Sequence, residues 1–72
     1  MHYVYVLRRG KDDSLYIGYT SDLKRRFAEH TAKYPCKIIY YESYSSSKHA
    51  REREKKLKQY GSAWRSLRDR II

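Results

Sequence analysis

Three side chains in the helical segments of this sequence stand where chemistry could be done. The segment that runs from the cap candidates Thr20, Ser21 and Asp22 to about Ala32 carries Leu23 and Phe27 as its apolar stripe. Arg26 and His30 fall on the flank of that stripe, one turn apart, while Arg25 points the opposite way. The segment from Ser45-Ser46-Ser47 to about Tyr60 has Ala50 and Leu57 as its stripe, and Glu54 falls between them in projection, facing inward. Arginine can grip an anion bidentately, histidine moves protons near neutral pH, and an inward carboxylate is costly unless a cation meets it. Glu54 therefore reads either as half of a structural ion pair, with Lys58 or an arginine, or as a ligand for a cation. Glu52 points to the far side, where Lys56 is its i+4 partner.

The elements that must position these groups follow from local pattern. Residues 2–8 are aromatic and β-branched and read as a strand, with Tyr3, Tyr5 and Leu7 on one face and His2, Val4 and Val6 on the other. A turn at 9–13, with Gly10 free to take positive φ, leads to a returning strand over 14–19. After the first helix comes a loop containing Pro35, the chain's one proline, and then a third strand over 36–44. Gly61 fits the stop of the second helix. Trp64, Leu67 and Ile71 recur at helical spacing, so a third helix closes the chain with its apolar side inward. The order is β-β-α-β-α-α. It predicts one α+β domain over residues 1–72, an α/β sandwich with a three-stranded, mainly antiparallel sheet flanked by helices.

Composition sets the outer limits. The chain has 72 residues, a net charge of +9 and nine tyrosines. Leu, Ile, Val and Phe together number 13, a share that with this charge borders on disorder unless the tyrosine rings supply the missing bulk. Residues 45–72 alone sum to +6, which points to a polyanion, most simply nucleic acid, with the Lys55, Lys56, Lys58 run and Arg65, Arg68 and Arg70 as a phosphate-facing surface. No apolar run approaches the length of a membrane span, and no signal-peptide pattern precedes the first strand. A lone Cys36 argues for a reducing, cytoplasmic setting, and the scattered His2, His30 and His49 do not offer zinc spacing. His2 and His49 have no partner pattern and read as solvated. Most of the tyrosines, including Tyr3, Tyr19, Tyr40, Tyr41, Tyr44 and Tyr60, read as packing or surface residues.

One ordered set of motifs goes further. Tyr3-Val4-Tyr5 lies on the first strand and Tyr16-Ile17-Gly18 on the second. Thr20 to Leu23, Arg26 and His30 follow, then Pro35, Lys37, Tyr40-Tyr41-Glu42, Ala50, Arg53-Glu54 and Leu57-Lys58. The set resembles the GIY-YIG endonuclease family, in particular its small single-domain bacterial members. The resemblance implies metal-assisted hydrolysis of phosphodiester bonds in DNA. It also implies a role for Tyr5, Tyr16, Arg26, His30 and Glu54 in catalysis, with Gly18 closing the second motif and Glu54 holding one divalent ion, Mg²⁺ or Mn²⁺.

Arg26 then offsets charge on the phosphate, and Tyr16 or Tyr5 activates the water, favoured as phenolate by nearby cations. Arg25, Lys55, Lys58, Arg65 and Arg68 are the expected backbone contacts. With no second domain, selectivity for structure or ends is expected over sequence readout. The first motif opens on Tyr3 where the family name has glycine, the loop after His30 is shorter than in similar small members, and the chain contains no Asn. A weakly active or inactive binding module of the same fold, or an interaction subunit of a DNA repair complex, is the alternative.

Overall fold

The computed structural model describes residues 1–72. The element order is β1 (His2–Arg9), β2 (Leu15–Thr20), α1 (Leu23–Lys33), β3 (Cys36–Tyr44), α2 (Ser47–Gln59) and α3 (Gly61–Ile71). This is an α+β fold in the expected order. The three strands form one antiparallel sheet in the order β2-β1-β3. β1 is central, which explains its composition: Val4, Tyr5, Val6 and Leu7 are all buried because both faces of the strand are covered.

The pleat divides these four residues. Val6 pairs with Ile17 and Tyr40, so its face is the one that Val4 shares. Tyr5 pairs with Gly18 and Tyr41, and Leu7 with Tyr16 and Ile38, on the opposite face. A bulge between Val6 and Leu7 shifts the register against β3.

The Val4 face carries the apolar core. Val4 and Val6 cluster with Ala50 and Leu57 of α2 and Leu67 of α3, and Trp64 and Ile71 pack around them half-buried. The Tyr5 face is covered by α1. There Leu23 and Phe27 are only half-buried, and the one buried side chain of α1 is His30. The expected apolar stripe is thus a shallow contact, because the sheet beneath it is already filled by tyrosine rings.

Local chemistry sets the ends of the elements. Asp22 caps α1, its Oδ1 accepting from the Arg25 amide at 3.1 Å, and Ser46 caps α2 by accepting from the His49 amide at 3.4 Å. Gly10 does not take positive φ; Asp13 does, at 57°, while the neighbouring Asp12 carboxylate accepts from the Ser14 amide and stiffens the turn. Gly61 is not a left-handed stop either, since no glycine has positive φ. Tyr60 breaks the helix instead. Its extended backbone closes α2 through an N–H to the Lys56 carbonyl and opens α3 by accepting from Ala63 and Trp64.

Two further expectations change. Glu52 is exposed and makes no pair with Lys56; such exposed pairs repay little of the side-chain entropy they cost. His2 is half-buried rather than solvated, with Nδ1 3.0 Å from the Tyr19 hydroxyl and the two rings stacked, because β1–β2 pairing puts both on one face. No helix is long and apolar enough to cross a membrane.

Candidate active site

Tyr5 is the centre of the site. It is 1% exposed, and Gly18 sits directly opposite it on β2. A Cβ added to Gly18 would lie 3.0 Å from Tyr16 Cε1 and closer still to the Tyr5 phenol. Glycine is required at 18 for room, so that the Tyr5 ring can cross the edge strand and reach α1. There the Tyr5 hydroxyl meets His30 Nε2 at 3.2 Å. Tyr16 lies on the same face, its ring centroid 5.2 Å from the imidazole, and Tyr34 flanks the imidazole at 6.4 Å.

Burial decides the protonation states. It raises the Tyr5 pKa, outweighing the neighbouring Arg26, which works in the opposite direction. It also lowers the His30 pKa, helped by the positive charges of Arg26, Lys33 and Arg9. Cations were expected to favour a phenolate; at Tyr5 desolvation wins, so the proton needs a local acceptor. His30 Nε2, 3.2 Å away, can serve as one in the Nδ1-protonated tautomer of a neutral imidazole.

Arg26 stands one turn before His30 with its side chain 45% exposed. The Tyr5 phenol, then the Glu29 carboxylate, hold its pKa above the ordinary value, so it stays charged. Its Nη1 donates to Glu29 Oε1 at 3.2 Å, and Arg25 Nε is 3.6 Å from the other oxygen of the same carboxylate. Arg25 therefore does not point away from Arg26 as the wheel suggested; both lean on Glu29 and line one shallow groove with Thr20 and Asp22. These solvent-exposed pairs are weak, and a phosphate can replace the carboxylate.

Glu54 approaches from α2. Its side chain is 24% exposed, with Oε2 3.2 Å from Lys58 Nζ, the ion pair that was the plainer of its two expected roles. Lys58 Nζ in turn lies 5.8 Å from the centroid of the Tyr16 ring, so the Glu54–Lys58 pair borders the tyrosines, and the Glu54 charge reaches Tyr5. The fold thus brings Tyr5, Tyr16, Arg26, His30 and Glu54 toward the β2 edge of the sheet. Of the expected backbone contacts, Arg25 and Lys58 lie beside them and Arg68 shares a groove with Lys58. Lys55 and Arg65 are exposed and line neither groove.

Sequence reasoning missed two clusters. Arg9 Nη2 donates to the Tyr34 hydroxyl at 3.3 Å, its guanidinium carbon lies 4.8 Å from the centre of that ring, and its buried Nε has no partner. No pattern joins these two residues; the short α1–β3 link does. On the other face, Glu42 accepts from Arg53 Nε at 2.9 Å and from the hydroxyls of Tyr40 and Tyr44. That cluster had a signal, because Tyr40, Glu42 and Tyr44 alternate along β3 and so share a face.

The sequence model of the GIY-YIG catalytic domain matches residues 1–68. The chain belongs to the GIY-YIG family. It is 38% identical over 68 residues to a UPF0213 protein of Haloquadratum walsbyi, covering 82% of this chain and 75% of that protein. It is 38% identical over 80 residues to one of Natronomonas pharaonis, covering 99% of this chain and 89% of the other. A UPF0213 protein of Staphylococcus haemolyticus is 40% identical over 68 residues, covering 82% of each chain. No solved structure matches.

The Natronomonas comparison spans 80 positions but takes in 99% of a 72-residue chain, about 71 residues, so about nine positions of that GIY-YIG relative have no counterpart here. Tyr34 and Pro35 are the whole connection between α1 and β3.

Proposed function

We propose that this GIY-YIG protein is an endonuclease that hydrolyses phosphodiester bonds in DNA with the help of one divalent cation. Family membership supports a nuclease. The observation that carries the finer reading is the bond between the Tyr5 hydroxyl and His30 Nε2, set between a charged Arg26 and the Glu54 carboxylate.

In this reading Arg26 leaves Glu29 and takes two oxygens of the scissile phosphate. A water beside Tyr5 gives its proton to the Tyr5 oxygen as the phenol proton passes to His30 Nε2, and the resulting hydroxide attacks phosphorus. The bond from phosphorus to the leaving oxygen then breaks, that oxygen takes a proton from solvent, and His30 returns its extra proton to solvent. Tyr16 packs the open side of the imidazole and holds its orientation.

Glu54 is the residue that would hold the cation, in place of Lys58. No group of three or more His, Cys, Asp or Glu side chains is assembled anywhere in the protein. A single half-buried carboxylate suits Mg²⁺ or Mn²⁺, which keep several waters and take further oxygens from the phosphate. When bound, such an ion supplies Lewis-acid stabilisation of the phosphate charge. Contacts made to phosphate carry no base information, so structured or terminal DNA is favoured over a base sequence.

The test is purified protein with Mg²⁺ or Mn²⁺ on plasmid, single-stranded and branched DNA. Cleavage is expected to need the ion and to fall by roughly 10²-fold or more in Glu54→Ala, the scale of losing one electrostatic partner of the reacting group. No cleavage of any substrate, or equal cleavage by the variant, would refute the reading.

A second reading is favoured by Lys58 already occupying Glu54 and by the nine unmatched positions. It makes the protein a binding module. It expects salt-sensitive DNA binding that needs no metal and survives Glu54→Ala.

A further inference from the structure

A groove of about 610 Å³ leaves the candidate active site along β2, the edge strand, and runs to α3. Leu15 and Ile17 of β2 and Trp64 of α3 give it apolar walls. Tyr16 and Lys58 line it as well as bordering the active site. Arg68, one turn beyond Trp64, supplies a second cation, and Asp13 is the single acidic residue on its rim.

The three features select one kind of occupant. Apolar walls that include the partly buried Trp64 suit a flat aromatic group. Arg68, and Lys58 which also pairs with Glu54, lie on the stretch of chain with a charge of +6 and suit a polyanion. Continuity with Tyr16 and Lys58 requires that the occupant be joined to whatever lies in the active site. A nucleotide next to the scissile phosphate meets all three conditions.

We propose that this groove is a nucleotide subsite. The base flanking the cut leaves its neighbours and stacks on Trp64, and the backbone phosphates on either side meet Lys58 and Arg68. The proposal rests on the nuclease reading and deepens it. Such a subsite favours single-stranded or frayed DNA, since a base must unstack before it can enter, and makes the grip independent of base identity.

Trp64 is the one tryptophan of the chain and so reports on its own groove. The experiment uses the whole protein in EDTA, so that nothing is cut. It compares a fluorescein-labelled thymidine dodecamer with a dodecamer of abasic sugar-phosphate units of equal charge. Anisotropy reports binding and tryptophan emission reports the groove. Both oligomers are expected to bind. Only the thymidine oligomer should quench Trp64, and it should bind roughly tenfold more tightly, the scale of one base stacked on an aromatic ring. Arg68→Gln, on an exposed position, should weaken both complexes severalfold and leave the unliganded emission unchanged.

Binding of both oligomers with equal affinity and no change in Trp64 emission overturns the subsite and leaves the nuclease reading standing. Quenching by an apolar peptide with none by thymidine assigns the groove to a protein partner and likewise overturns it. Failure of both oligomers to bind overturns the subsite, while the nuclease reading is judged separately by cleavage with Mg²⁺ or Mn²⁺.

Discussion

The two faces of the sheet are built from opposite materials. On the Val4 face, α2 and α3 close over aliphatic side chains, with Val4, Val6, Ala50, Leu57 and Leu67 all at 2% exposure or less. On the Tyr5 face, α1 rests on rings with polar tips, and its deepest residue is a histidine. One face holds the fold together by removing hydrocarbon from water. The other gives up part of that gain to hold a phenol and an imidazole in contact, where burial shifts both toward their neutral forms. A small chain can keep a polar site only because the opposite side of the same strand is apolar.

If the faces divide the labour in this way, substitutions on each should separate activity from stability. Tyr5→Phe has the largest expected effect. It removes one hydroxyl from the Tyr5 face, and cleavage should fall by roughly 10²- to 10⁴-fold, the range for losing a positioned acid–base group, while the thermal midpoint changes little. A full loss of folding would break the comparison.

Leu57→Ala comes next. It opens a cavity on the Val4 face and should cost about 2–5 kcal/mol in denaturant unfolding, with the cleavage rate per folded molecule unchanged at low temperature.

Gly18→Ala should do both. The new Cβ meets the Tyr5 phenol, and Tyr5 is buried and cannot swing aside, so about 1–3 kcal/mol of stability is lost to overpacking together with the Tyr5–His30 bond. Unfolding and cleavage measured on one preparation will show whether the two losses coincide.

The smallest effect concerns pH. Burial and the charges of Arg26, Lys33 and Arg9, opposed by Glu29, place the His30 pKa below the ordinary imidazole value of about 6.5. As pH falls the unfolded chain takes up its proton first, so this contribution to stability is complete above about 6.5 and is lost as pH falls through the folded value. The acid limb of cleavage should follow the folded value and lie below about 6.5. Arg9→Gln removes one of the lowering charges while keeping much of the bulk, and should move that limb upward.

Much of the Val4 face was legible because hydrophobic periodicity is a local property. The strand over 36–44, the α2 stripe of Ala50 and Leu57, and the inward Leu67 all follow from spacing along one element. The Tyr5 face was legible mainly through its motifs, which name Tyr5, Tyr16, Arg26, His30 and Glu54 without saying how they meet. Periodicity on its own misjudged this side. It gave α1 a buried stripe of Leu23 and Phe27, whereas the tyrosines already occupy the space and His30 goes deepest. Arg9 and Tyr34 are 25 residues apart and meet only because the link from α1 to β3 is two residues long. Glu29, which holds both Arg25 and Arg26, reads along the helix as one more exposed charge.

Sequence by itself determined the element order, the strand character of residues 2–8, the excess of positive charge and the residue types of the candidate site. These depend on composition and on repeats of two and 3.6 residues, which are fixed before the chain folds. Only the tertiary structure decided that Gly18 must be glycine, that the Tyr5 hydroxyl meets His30 Nε2, that Lys58 holds Glu54, and that a groove continues from Tyr16 to Trp64. Each of these depends on strand register or on the approach of one element to another, and short-range pattern carries no information about distances across a sheet edge.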